Sequence, residues 1–277
     1  MGDLLDALLA PLAQGFVRRA LGAGLALGAA GSLLGVFVVQ RGLGLLSDGL
    51  AHATFGGLAL GLLLGASVDR AIWVALPFTV AIALGIQHVR RRTTLGGDVA
   101  TGVFFALSFA AGILFLGLRS ARAQPVNVES LLFGSLLAVS PEALAVILAV
   151  AVLVVAVLAW IGPRLAYATF DPELAALSGV PVAALEYLLL ALTALVVVVG
   201  VKTVGVVLVS AFVVIPAATA SLLGRTPRTI AALAVGVSAF GTAFGLFASY
   251  HLNVATGATI ILTLGASFFL ALLLRRR

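Results

Sequence analysis

Asp48 and His52 stand four residues apart at the head of an apolar run, in the stretch SDGLAHATFGGLALG. On a helix that spacing places both side chains on one face, about one turn apart. A carboxylate and an imidazole so placed can share a divalent cation. The chain has no cysteine, so the natural candidates are zinc, manganese and ferrous iron. The same spacing suits a second role, in which Asp48 caps a helix N-terminus with Ser47 in support and His52 bonds to a neighbouring helix. Spacing alone leaves the two readings level.

The elements that position this pair follow from composition. Of 277 residues, 62% are hydrophobic and 9% are charged, against about a quarter charged in an average soluble domain. Apolar windows of about 17 to 22 residues recur along the chain, the length needed to cross a hydrocarbon core. Strands of a membrane barrel would alternate polar and apolar residues, and these windows do not. The expectation is an all-α, polytopic transmembrane bundle of eight or nine spans, forming one domain over residues 1–277. The spans are expected at 20–39, 50–66, 71–88, 99–118, 142–162, 183–201, 203–223, 229–248 and 255–274, after an amphipathic segment over 1–19. Asp3 and Asp6, where a positive region would be needed, argue against a removable leader.

The net charge of +6 is spread through the loops rather than gathered in a patch. Arg41, Arg90 to Arg92, Arg164, Arg225, Arg228 and the terminal arginines fall in alternate loops, which marks those loops as cytoplasmic. They read as orientation signals and not as contacts to nucleic acid.

Charge within a span costs about 3 kcal/mol on insertion scales and tends to face an interior pathway. Asp98, after Gly96-Gly97, reads first as a helix N-cap and second as a pathway carboxylate on the same side as Asp48. Glu129 and His251 fall in outer loops, where they can meet an incoming ligand or be solvated. Lys202 sits at an outer junction, from which its ammonium can reach water. Pro216 should kink its helix and free a carbonyl, making that span a candidate gating element. Glycines at small-xxx-small spacing, such as Gly24 and Gly28 or Gly57, Gly61 and Gly65, read as sites of close helix packing.

One cytoplasmic loop contains a short helix of its own. Asp171-Pro172-Glu173 supplies an N-cap, a proline at the first helical position and an acidic first turn, and Ser178-Gly179-Val180-Pro181 ends the helix. So short a helix is marginal alone. Leu174, Ala175, Leu177 and Val180 offer a small apolar face to a partner, or else the segment merely connects two spans. No phosphate-loop, nucleophile-elbow or HExxH motif occurs, so nothing points to hydrolysis of a nucleotide, ester or peptide by this chain.

Five stretches, in order over residues 20–274, together resemble the membrane permease of ABC importers for zinc, manganese and iron, the ABC-3 type. They are GSLLGVFVVQRGLGLLSDGLAHATFGGLALG, GGDVATGVFFALSFAAG, VNVESLLFGSLLAVS, the run from FDPELAALSGV to IPAATASLLG, and GLFASYHLNVATGATIIL. The resemblance implies a type II importer-like permease in the plasma membrane that moves Zn2+ or Mn2+, with Fe2+ also possible, and holds no tightly bound cofactor. It implies a homodimer, two cytoplasmic ATP-binding subunits that hydrolyse ATP, and an extracytoplasmic metal-binding protein. Asp48 and His52 match the family's D-x-L-x-H pattern and become pathway ligands, with Asp98 beside them. Asp171, Glu173, Leu174 and Gly179 become the element that seats on the ATPase. The family usually carries a polar residue before Asp98, where this chain has Gly96-Gly97, and often a tyrosine where this chain has His251. A proton-coupled secondary transporter and a siderophore or cobalamin permease are the alternatives.

Overall fold

The computed structural model describes residues 11–119 and 135–275. Among them the helices are α1 (Gly15–Gln40), α2 (Leu46–Leu63), α3 (Ile72–Arg92), α4 (Gly97–Leu118), α5 (Pro141–Phe170), α6 (Pro172–Leu177), α7 (Val182–Val204), α8 (Val206–Leu223), α9 (Pro227–Leu252) and α10 (Thr256–Leu274), with a 3-10 turn at Leu136–Ala138. No strand occurs among the described residues. Eight of the long helices have the length and apolarity to cross a membrane. The ninth, α2, has 18 residues and so is about 27 Å long at 1.5 Å per residue. Its first turn lies beside the start of α4, where Asp98 accepts a hydrogen bond from the Leu45 amide. Its far end leads into the turn where Asp69 meets Lys202. Its two ends thus lie at opposite ends of the bundle, so that among the described residues α2 runs the same course as the eight.

The helix ends sort into two groups. Arg41, Gln87, Arg91, Thr169 and Glu186 meet at one end. At the other, Gln14 donates to the Tyr250 hydroxyl, Arg19 to the Val139 carbonyl and Lys202 to the Asp69 carbonyl. The arginine-rich end is cytoplasmic by the positive-inside rule; it is the inner end below.

Close helix packing explains the glycines. A Cβ at Gly35 would strike the Val213 carbonyl of α8, and one at Gly57 would meet the Ala75 backbone of α3. Such contacts supply the dispersion that holds helices together in lipid. α4 and α10 are the least buried spans and turn Val103, Leu107, Leu262 and Phe269 outward.

Two connections differ from expectation. α5 continues past residue 162 to Phe170 with Pro163 inside it. Leu165 and Ala168 are buried, and their packing carries the helix past the missing amide hydrogen bond. α7 and α8 are separated by Gly205 alone, whose φ of 92° belongs to a region that a side chain disfavours.

Candidate functional site

α2 and α4 run parallel and touch along their lengths because glycines remove the side chains between them. A Cβ at Gly49 would meet the Thr101 side chain, one at Gly56 the Ser108 carbonyl, and one at Gly112 the Phe55 ring. This fixes the register of the two helices and sets the surroundings of Asp48 and His52.

His52 Nδ1 lies 3.0 Å from the Asp48 carbonyl oxygen and 3.7 Å from its Oδ1. A proton on Nδ1, donated to that carbonyl, leaves the lone pair on Nε2, the form in which imidazole binds a metal. The ring is held edge-on by two phenylalanines of α4. Its centroid is 4.7 Å from that of Phe105 and 5.8 Å from that of Phe109, and Phe55 packs on Phe109 at 5.3 Å. The Asp48 side chain is 52% exposed and that of His52 24%, so the pair stands at a partly open surface one to two turns from the inner end.

Capping is not what these acids do for their own helices. The N-cap of α2 is Leu45, with no side-chain hydrogen bond; Asp48 lies inside the first turn, and the buried Ser47 hydroxyl has no partner. Asp98 likewise sits in the first turn of α4, whose N-cap is Gly96. Its Oδ1 accepts instead from the Leu45 amide at 3.3 Å, so it satisfies the free end of α2. The two glycines before it let the chain enter α4 alongside Leu43, whose side chain a Cβ at Gly97 would strike.

The short helix forms as its residues dictate. Asp171 Oδ1 accepts from the Leu174 amide at 2.9 Å, with Pro172 at the first position. At its end Val180 donates to the Ala175 carbonyl and Gly179 to that of Ala176, with φ of 78° at Gly179, a Schellman closure. The expected single apolar face divides in two. Ala175 is buried and Val180 packs on the core, which anchors the helix. Leu177 and Leu174 are 86% and 51% exposed, beside an exposed Phe170. Glu173 is exposed in the first turn.

The remaining candidates lie apart. Pro216 is buried inside α8, one turn after Phe212 and close to the α1 glycines. His251 is exposed at the outer end of α9, against Tyr250 at 5.5 Å. Glu129 falls outside the described residues. No group of three or more His, Asp or Glu that could hold a metal ion occurs among the described residues. An apolar cavity of about 510 Å³ opens at the outer end between Leu136, Val207, Leu208 and Ile261, away from Asp48 and His52.

The residue least visible in the sequence is Glu186, on the inner turn of α7. Its Oε1 accepts from Arg41 Nη1 at 2.9 Å, and its Oε2 from Gln87 Nε2 at 2.6 Å and Arg91 Nη1 at 3.1 Å. Arg41 Nε donates to Thr169 Oγ1 at 3.0 Å, and Arg90 Nη1 to Gln87 Oε1 at 3.0 Å. Burial pushes the Arg41 guanidinium down from its ordinary value, while Glu186 pulls it back up. The available signal was a lone acid near the head of an otherwise apolar span.

Comparison with known proteins places these features in context. A model of the ABC 3 transport family matches residues 13–275. The manganese transport system membrane protein MntC of Listeria innocua is 32% identical over 259 residues, covering 94% of this chain and 90% of that protein. The manganese import system permease protein ScaB of Streptococcus parasanguinis is 32% identical over 255 residues, covering 92% and 89%. Among solved structures, PsaBC from Streptococcus pneumoniae in complex with Fab superimposes with a TM-score of 0.82 at 28% identity, over 96% of this chain and 95% of that one.

Proposed function

The chain belongs to the ABC 3 transport family and is the multi-pass plasma-membrane permease of a metal-ion importer, and from that premise we propose that it carries manganese(II) inward past Asp48 and His52. The observation that supports the route is the pair itself: a carboxylate and an imidazole one turn apart, partly exposed, with the imidazole held by phenylalanines of α4. An oxygen and a nitrogen donor suit manganese or zinc. The relatives named for manganese favour the former. Two side chains make an incomplete ligand set, which suits transport because a conducting site must bind weakly enough to release.

ATP hydrolysis then falls to separate cytoplasmic subunits, and α6 is the element that meets them. Leu174 and Leu177 project from it while Ala175 holds it to the bundle. A second permease copy and an extracytoplasmic metal-binding protein complete the assembly in this reading.

One reconstitution tests these assignments together: ATP-driven manganese uptake into liposomes, with Asp48→Ala, His52→Ala and Leu177→Asp beside the parent. The first two variants should keep ATP hydrolysis and lose uptake by at least about tenfold. Leu177→Asp should lose the ATP-binding subunit on purification. Parent-level uptake by well-folded Asp48→Ala and His52→Ala complexes would sink the metal route, and unchanged assembly of Leu177→Asp would remove α6 from the docking role.

A further inference from the structure

Glu186 gathers four helix ends onto one carboxylate. Arg41 follows α1, Gln87 and Arg91 end α3, and through the other edge of the Arg41 guanidinium Thr169 at the end of α5 is bound as well. The centre of this hub is dry: the Arg41 side chain is 6% exposed and that of Glu186 16%. A buried ion pair adds little net stability over apolar packing, because desolvation offsets much of the attraction. Fixed geometry is what such a hub supplies.

Its position gives that geometry a use. Thr169 lies two residues before Asp171, the cap of α6, and α6 is strapped to α5 by the Tyr167 hydroxyl against Ser178 Oγ at 3.1 Å. On the opposite side, Arg41 begins the five-residue link from α1 to α2, at whose end the Leu45 amide is held by Asp98. Asp48 is three residues further on. A displacement of α6 therefore reaches the Asp48–His52 helix through a short series of bonded groups, with the hub at its centre. Arg41 Nη2 is buried without a partner, so the hub holds more donors than acceptors.

We propose that Glu186 and Arg41 are positioning residues of transport, making the inner ends of α1, α3, α5 and α7 move as one body with α6. The motion of the docking helix is thereby delivered to the α1–α2 link. This rests on the reading of α6 as the ATPase seat, and it assigns to Glu186 and Arg41 the conversion of hydrolysis into translocation.

The test measures manganese taken up per ATP hydrolysed, in liposomes containing the permease with its ATP-binding subunits. Arg41→Lys keeps the charge but gives up the planar fork that reaches Thr169 and Glu186 at once. It should co-purify with the ATPase and hydrolyse ATP within about twofold of the parent, while uptake per ATP falls about tenfold. Glu186→Gln, which keeps an acceptor oxygen, should behave alike and decides the matter if Arg41→Lys yields no complex. A purely structural role would lower yield and melting temperature while leaving uptake per ATP unchanged in the surviving complexes, and that result overturns the proposal. So does failure of both variants to assemble. Failure of the underlying reading looks different: Leu177→Asp would then retain the ATPase.

Discussion

The inner and outer ends of this bundle are closed by different means. At the inner end one dry carboxylate takes three donors from two other helix ends, and Arg41 adds a fourth element through Thr169. At the outer end the corresponding charges are Lys202 and Asp69, 3.3 Å apart with side chains 34% and 91% exposed. Exposed pairs of this kind contribute about 0 to 1 kcal/mol. Opposite charge is present at both ends, and among the described residues the inner arrangement is the one shielded from water and shared among several helices. The inner end is thus tied by shared, buried bonds, whereas the described outer end has an exposed pair, an open cavity and a single-residue reversal.

Removing Arg41 should produce the largest effect. Arg41→Ala leaves Glu186 with weaker compensation in a dry site, and about 3 kcal/mol of stability should disappear, read as a drop in melting temperature of the detergent-solubilised permease. Gly205→Ala comes next, since a side chain at φ 92° is strained by about 1 to 3 kcal/mol; the same melting measurement should show an intermediate loss. Lys202→Met should be smallest, within about 0.5 kcal/mol of the parent, and raising the salt concentration should leave the parent's stability nearly unchanged. A Lys202→Met loss equal to that of Arg41→Ala would break the contrast between the two ends.

Much of this was legible in the chain. The bundle of eight or nine apolar spans, the alternation of basic loops and the capped helix after Asp171 follow from hydropathy, arginine placement and the Asp-Pro-Glu signature, because each is a local rule. The Asp48–His52 pair was legible for the same reason: i and i+4 geometry needs no fold. Asp98 was misjudged because capping chemistry was assigned to its own helix, whereas its carboxylate serves an amide 53 residues away. The fifth span was expected to end at residue 162, but buried Leu165 and Ala168 carry α5 on to Phe170. The Glu186–Arg41 bond joins residues 145 apart, and no periodicity reports such a meeting. The phenylalanines around His52 were equally hidden, since Phe105 and Phe109 read as ordinary lipid-facing apolar residues until the α2–α4 register is known.

That register has an electrostatic consequence. α2 and α4 are parallel, so both present their N-termini at the same inner place, and each helix start carries about half a positive charge from its aligned peptide dipoles. Asp48 and Asp98 lie in those two first turns, where part of their negative potential is spent on the backbone. On the proposed route, a dication reaching this place would meet two carboxylates whose pull is already reduced by charge of its own sign. The attraction left over would be shallow, as release from a transport site requires.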